Sequence, residues 1–249
     1  ELLWEFSDFD RQRYFESEGE WMTYVIRQTF RQLKPYLELG PQGRDRRLDD
    51  MVAPVVRKLK GRDMPVCTTL VVDDVIVQKL FEPDLFLRKP EIRYMPNGYR
   101  ERVLAGKEKH QRQFKGGEVF APFKYALDKK LLANFKDMGL PLLLSTDAGT
   151  GGMGIVPGFS LHDELEILVE NGFSPYEAIA AGTTVASKVV ARMKGQDSFG
   201  VILPGKRADL ILLKQNPLKD VSKTRKIRGV MDAGMRYDEE ALAGFLDKL

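Results

Sequence analysis

The stretch from Leu127 to Thr146 constrains the fold of this chain more than any other. Its first part carries apolar residues at helical spacing, namely Leu127, Leu131, Phe135 and Met138. Gly139 follows them, and then comes the short apolar run PLLLST. A glycine after the last helical residue ends a helix, and an apolar run this short is typical of a buried strand. We therefore predict a helix–strand unit of an α/β protein.

Further elements are predicted on both sides of this unit. Amphipathic helices are expected over residues 21–39 and 47–60, and a second strand, buried on both faces, over 64–72. Helices should begin at Ser160 and Ser174, the latter with a capping box. After residue 199 the pattern changes to two short β runs around a Pro-Gly turn, a further strand and turn, and a terminal helix. Residues 79–121 show no clear period and are expected to be irregular.

Composition excludes several classes of partner. With 39 basic and 36 acidic side chains the net charge is only +3, so the chain lacks a polybasic signature for nucleic acid. No apolar run is long enough to span a bilayer. The one cysteine, Cys67, excludes an internal disulfide, and we expect it to be a small buried hydrophobe rather than a nucleophile.

A glycine run follows the strand that ends near Thr146. Gly149, Gly151 and Gly154 have the spacing G-x-G-x-x-G of a dinucleotide-binding loop. Such a loop needs a helix directly after the glycines, but residues 155–158 intervene before Ser160. Asp147 would also repel a pyrophosphate. The dinucleotide interpretation is therefore disfavoured, although a test of NAD binding could revive it.

Asp147 is the stronger candidate, because it is the first carboxylate after the predicted strand. In α/β barrels, catalytic groups project from the carboxyl ends of the strands. The alternative is an aspartate that only caps a turn. Asp73 and Asp74 are expected at the end of the other strand, where turn capping is the favoured role.

Four motifs recur in an order that resembles a known family. They are Ser145–Gly149 (STDAG), Pro157–Leu165 (PGFSLHDEL), Gly172–Ile179 (GFSPYEAI) and Gly200–Leu210 (GVILPGKRADL). This order is similar to the C-terminal part of the metal-dependent amidohydrolase superfamily, in its prolidase-like and imidazolonepropionase-like members. The resemblance is close over residues 62–80 and 124–236 and weak elsewhere.

The resemblance implies an α/β fold that is a partial (β/α)8 barrel of the TIM type, comprising its last two strands and helices. Residues 1–61 would form a helical segment after strand six. Residues 62–195 would form barrel units seven and eight, with a lid-like excursion over 81–121. Residues 196–249 would complete part of a small β-sandwich and add the terminal helix.

The resemblance also implies a divalent metal, zinc by preference, and hydrolysis of a carbon–nitrogen bond in an amide, cyclic amide or dipeptide. Asp147 would be a metal ligand and would take a proton from the attacking water. A metal lowers the pKa of bound water to about 7, and a nearby carboxylate can pass the proton to the leaving amine. His162 would lie at the rim of the site as a second catalytic residue, the alternative being a surface histidine on a helix.

The family's other ligands are not recognisable in this chain. They are a His-x-His pair, a lysine or acid, and two single histidines, whereas this chain has only His110 and His162. We therefore expect a C-terminal fragment that is inactive by itself and needs the remainder of the protein as a partner. The alternative is a non-catalytic remnant that acts only by association. A small-molecule substrate and a homo-oligomer are further expectations, and the cytoplasm is only a default location.

Overall fold

The computed structural model describes residues 14–148, 154–195 and 198–248. These residues form two compact units, each continuous in space but not in sequence. The first unit contains residues up to Arg62 together with Ala105–Met138, and the second contains Asp63–Leu104 together with Gly139–Leu249. No helix in the described ranges combines the length and the apolar composition that crossing a bilayer requires.

The first unit is helical. Its long helices are α1 (Glu18–Leu37), α2 (Pro41–Leu59) and α6 (Ala121–Asp137). Helix α2 packs on α6 through buried leucine, valine and phenylalanine side chains, among them Leu48, Val52, Val55, Leu131 and Phe135. The Lys130 ammonium lies between two carboxylates of α2, 2.9 Å from Asp45 and 2.6 Å from Asp49.

The second unit begins with β1 (Val66–Cys67), followed by α3 (Val71–Phe81) and the short α4 (Pro83–Phe86). A 3-10 turn over Pro90–Tyr94 leads to α5 (Tyr99–Gln113), which runs on into the first unit, where a second 3-10 turn covers Gly117–Phe120. Residues 79–121 were expected to be irregular, yet most of them are helical. The prediction was wrong because short helices with few apolar positions leave no readable period.

Strand β2 (Leu142–Leu143) pairs with β1 in parallel, with Val66 opposite Leu142 and Cys67 opposite Leu143. The parallel pairing was predicted, but the first strand was expected over residues 64–72 and is much shorter. Val71 begins a helix instead, and Asp73 and Asp74 lie in its first turn rather than at a strand end. Cys67 is exposed, not buried, because in the described part of the chain β1 pairs only with β2.

Helices α7 (Phe159–Glu170), α8 (Pro175–Gly182) and α9 (Thr184–Lys194) follow β2. The capping box of α8 is present as predicted, with the Ser174 hydroxyl accepting from the Glu177 N–H. Ser160 is not the N-cap of α7, since Gly158 holds that position. Its hydroxyl oxygen instead accepts from the Val156 N–H at 3.0 Å and fixes the chain that enters the helix.

An antiparallel sheet closes the sequence, in the order β3 (Leu210–Leu213), β4 (Ile227–Asp232) and β5 (Met235–Asp238), with α10 (Glu239–Leu246) after it. A 3-10 turn over Val221–Arg225 precedes β4. The β run predicted before the Pro-Gly turn does not form, and its residues Ile202 and Leu203 are exposed. The parallel pair and this sheet make a mixed α/β fold, and the partial barrel stays a prediction.

Candidate functional site at the strand ends

The carboxyl ends of β1 and β2 meet at one edge of the parallel pair, because parallel strands end on the same side. Each end is followed by a residue other than glycine with positive φ, Thr69 at 49° and Asp147 at 54°. A β-branched residue such as Thr69 is strained in this region, and the strain costs on the order of 1–3 kcal/mol. Strained residues of this kind concentrate at functional sites. The two turns therefore mark this edge as the candidate site.

Asp147 is exposed at the end of the turn after β2, directly after the buried Thr146. The sequence analysis expected Asp147 at this place, after a strand, as a candidate catalytic residue. Gly149–Met153, most of the glycine run, lie outside the described residues. Among those described after it, residues 154–157 are not helical, so the helix that a dinucleotide loop requires does not start there.

Gly154, which ends the glycine run, packs against the side chains of Phe86 and Tyr99, which we call the aromatic wall. Its φ is 92°, and a Cβ placed there would lie 2.4 Å from the Phe86 ring and 2.7 Å from the Tyr99 hydroxyl. Neither the conformation nor the space admits a side chain. Further along, the Phe159 ring stacks on Tyr94 with centroids 5.1 Å apart. Residues of the predicted lid-like excursion thus pack against the segment that follows Asp147.

The hydroxyl of Tyr99 is buried and has no hydrogen-bond partner in the ranges that the structure describes. Burial raises the pKa of this phenol to about 12, and the nearby charge of Arg102 opposes the shift. The Lys79 ammonium lies 5.9 Å from the centre of the same ring, and burial lowers its pKa. The burial of these two polar groups was not predicted, because no sequence pattern marks a buried hydroxyl.

His162 lies in the first half of α7 and is half-buried. Its Nδ1 is 2.8 Å from the Thr224 hydroxyl, which in turn donates to the Val221 carbonyl. When the hydroxyl proton is donated to the Val221 carbonyl, Nδ1 of a neutral His162 carries the ring proton, and Nε2 keeps its lone pair. Burial, assisted by the charge of Arg225, lowers the pKa of His162, so the neutral ring is favoured.

Arg225 links the same part of α7 to the 3-10 turn that holds Thr224. Its guanidinium bonds to the carboxylates of Asp163 and Glu166, the latter at 2.9 Å. These pairs are partly exposed, so each stabilises the fold modestly. Their effect is to fix the orientation of the helix that carries His162.

Glu164 is the residue that the sequence reasoning missed. It is completely buried, and its two carboxylate oxygens accept from the backbone N–H groups of Leu70, at 3.1 Å, and Val71, at 2.7 Å. Burial raises its pKa, while hydrogen bonds from Thr68, Val71 and Leu70 oppose the rise and the charge of Asp73 adds to it. A signal was available, because Glu164 falls at helical spacing with the apolar Ile167 and Leu168.

The donor set does not make a metal centre by itself. No group of three or more His, Cys, Asp or Glu side chains in the described residues is placed to hold a metal ion. A catalytic zinc needs about three protein ligands. Asp147 therefore serves as at most one ligand, and the metal dependence implied by the resemblance stays a prediction.

A solved structure has a similar fold. The structure is similar to bottromycin amidohydrolase, with a TM-score of 0.55 and 21% identity over 85% of this chain and 44% of that one. At this identity the likeness establishes the fold alone. The mixed α/β fold of this chain is therefore similar to the fold of bottromycin amidohydrolase.

A family model matches part of the sequence. Residues 127–236 match the model of the amidohydrolase family. The resemblance to the amidohydrolase superfamily is thus confirmed over this part of the chain, which includes β2, Asp147 and helices α7 to α9.

Other solved structures are similar at lower scores. A protein from Bifidobacterium longum that is assigned as a prolidase has a TM-score of 0.48 and 19% identity over 91% of this chain and 55% of that one. A Xaa-Pro dipeptidase has a TM-score of 0.49 and 18% identity over 88% of this chain and 48% of that one. The chain thus spans about half the length of these structures. No curated protein matches it significantly.

Proposed function

We propose that this chain is the C-terminal part of a metal-dependent amidohydrolase that cleaves carbon–nitrogen bonds, with an amide, cyclic amide or dipeptide as substrate. The observation that carries the proposal is the place of Asp147. It is an exposed carboxylate in a turn with positive φ, at the carboxyl end of a parallel strand, inside the segment that matches the amidohydrolase family.

Asp147 is the acid–base residue of this proposal. A carboxylate at this position accepts a proton from the attacking water as the water oxygen bonds to the substrate carbonyl carbon. It then gives the proton to the amine nitrogen as the carbon–nitrogen bond breaks. Because the side chain is exposed, both water and substrate can reach it.

His162 is proposed as a second residue at the rim of the site. The Thr224 hydroxyl fixes its Nδ1–H, so Nε2 is the atom available to accept a hydrogen bond from substrate. The lowered pKa keeps this atom unprotonated at neutral pH. Its role in this proposal is to orient the substrate, whereas the proton transfer belongs to Asp147.

The first experiment is to read the coding DNA upstream of Glu1. The proposal expects an open frame that encodes a His-x-His pair and two further histidines at strand ends. The protein from the whole frame, supplied with Zn²⁺, should hydrolyse members of a panel of N-acyl amino acids, cyclic amides and dipeptides. Asp147→Asn should reduce that rate by about 100-fold or more. A start codon directly upstream of Glu1, or full activity in the variant, would overturn the proposal.

A second candidate function is a non-catalytic chain that acts by association. The exposed apolar side chains of the antiparallel sheet favour it, since Ile211 is 62% and Leu212 58% exposed on β3. Consecutive side chains of a strand point to opposite faces of the sheet, so each face of β3 presents one exposed apolar group, of the kind that contact sites use. The same DNA sequence separates the candidates, because an association-only chain requires no upstream metal ligands.

A further inference from the structure

Glu164 connects two elements that the sequence separates widely. It lies on α7, the helix that follows the Asp147 turn, and its hydrogen bond to Leu70 joins residues 94 positions apart. Its side chain is completely buried. A buried carboxylate is stabilised only by strong partners, and Glu164 has two backbone N–H donors as well as the Thr68 hydroxyl. The contact therefore fixes where the chain leaves β1.

The two N–H groups follow directly after the strained Thr69. We call Thr68–Val71 the β1 turn. Thr69 adopts a φ of 49°, which is unfavourable for a β-branched side chain. Such a conformation persists only where its surroundings hold it. The bonds from Leu70 and Val71 to Glu164 provide that hold, because they fix the two peptide groups after Thr69 against a fully buried side chain.

We propose that Glu164 is a positioning residue that holds the β1 turn in its strained shape, so that the turn forms a wall of the substrate site beside Asp147. That this wall faces a substrate rests on the proposed function. That Glu164 holds the β1 turn does not depend on the proposed function. The need for the bonds from Glu164 should therefore depend on the strain at Thr69, and removing that strain should make the bonds less important.

This dependence can be tested with paired variants in the protein expressed from its complete reading frame. Glu164→Gln keeps the size of the side chain but leaves one N–H facing an amide group rather than an oxygen. In Thr69→Gly the glycine adopts positive φ without strain, so the β1 turn depends less on the hydrogen bonds to Glu164. Ala233→Gly is the matched control, because Ala233 has a φ of 48° in the distant β4–β5 hairpin. Glu170→Gln is the control on α7, because Glu170 is exposed.

Glu164→Gln should lower kcat/KM at least about tenfold, mainly through kcat, because a turn that is misplaced misorients the bound substrate. Thr69→Gly should stay within about threefold of the wild type. The double variant should return to within about threefold of Thr69→Gly. Ala233→Gly should rescue nothing, and Glu170→Gln should change nothing. If the double variant loses a further tenfold relative to Thr69→Gly, Glu164 is merely structural and the proposal is overturned.

Hydrogen exchange tests the positioning without any activity. The Val72 N–H bonds to the Thr69 carbonyl and the Asp73 N–H to the Leu70 carbonyl, so these two amides report the shape of the β1 turn. Their exchange should become at least about tenfold faster in Glu164→Gln and should return toward the wild-type rate in the double variant. This pattern supports the positioning even if the wild type hydrolyses nothing, in which case only the proposed function fails. Unchanged exchange in Glu164→Gln overturns the positioning.

Discussion

The Nδ1 atom of His162 lies 2.8 Å from the hydroxyl oxygen of Thr224, and that hydroxyl also lies 2.8 Å from the Val221 carbonyl oxygen. Donation to the carbonyl favours the tautomer of His162 that carries its proton on Nδ1. The contact between His162 and Thr224 also ties α7 to the 3-10 turn that precedes β4. A structural and a functional role for His162 can therefore be separated by the two ring nitrogens.

His162→Asn retains a donor near the position of Nδ1 and removes Nε2. We expect its thermal midpoint to stay within a few degrees of the wild type, whereas His162→Ala loses the bond to Thr224 and about 1 kcal/mol of stability. If Nε2 orients substrate, both variants should lose activity to a similar degree. Full activity in His162→Asn would assign His162 to the fold alone. Calorimetry and hydrolysis rates on the same preparations supply the comparison.

Asp147→Asn should remove activity without removing stability. Asparagine tolerates the left-handed region nearly as well as any residue except glycine, so the φ of 54° adds no new strain. We expect an unfolding free energy within about 0.5 kcal/mol of the wild type. Asp147→Gly should be equally inactive and slightly more stable. A large loss of stability in Asp147→Asn would indicate that the carboxylate caps its turn, which was the alternative role considered for it.

Glu164 should give the protein a distinctive pH dependence of stability. Its pKa in the folded state is raised by burial, so its contribution is fully present below the ordinary pKa of 4.5 and is lost as the pH rises through the folded value. The unfolding free energy of the wild type should therefore fall over this window relative to Glu164→Gln. Urea titrations at a series of pH values measure the difference. Glu170→Gln, on the exposed side of α7, should keep the wild-type slope.

Tyr99→Phe should stabilise the protein. The variant removes a buried hydroxyl that has no partner among the described residues, and an unsatisfied polar group of this kind costs about 1–3 kcal/mol. A loss of stability would show that the hydroxyl does have a partner. Chemical denaturation of the two proteins decides between these outcomes.

Gly154→Ala should be strongly destabilising, because its Cβ would meet the Phe86 ring at 2.4 Å and the conformation is left-handed. Gly158→Ala is the matched control. Gly158 also has positive φ, at 80°, but no atom lies within 4 Å of the added Cβ. The control should lose only the stability that the left-handed conformation costs a residue with a Cβ, about 1 kcal/mol of unfolding free energy. Equal losses in the two variants would mean that the aromatic wall yields to the added methyl group.

Local patterns predicted much of the secondary structure. Regular apolar spacing located α1, α2, α6 and α10, and the Ser174–Glu177 pair fixed the start of α8, because both signals depend on residues a few positions apart. Of the candidate site, the sequence predicted the position of Asp147, because this residue directly follows a run with the composition of a strand. Its functional role and that of His162 stay predictions.

The remainder depended on contacts between distant residues. The run from Met64 to Val72 has the composition of a strand, but the N–H groups of Leu70 and Val71 bond to Glu164 and start a helix. Cys67 was expected to be buried because a strand of this composition belongs in the middle of a sheet, whereas in the described residues β1 has one neighbour. Composition cannot supply the number of neighbouring strands, so the predicted burial of Cys67 was wrong, and only Val66–Cys67 of the predicted run form a strand.

The hydrogen bond between Glu164 and Leu70 joins residues far apart in the sequence, and this separation also affects the order in which parts of the chain fold. Strand β1 finds its partner only when Leu142 is available, and the β1 turn is held only when α7 has formed. Closing so long a loop is slow compared with forming the helices between. On the ribosome, the first unit can therefore fold while the β1 turn is still relaxed. The strained geometry of the β1 turn is then acquired only after α7 has been synthesised, later than the helices between β1 and β2.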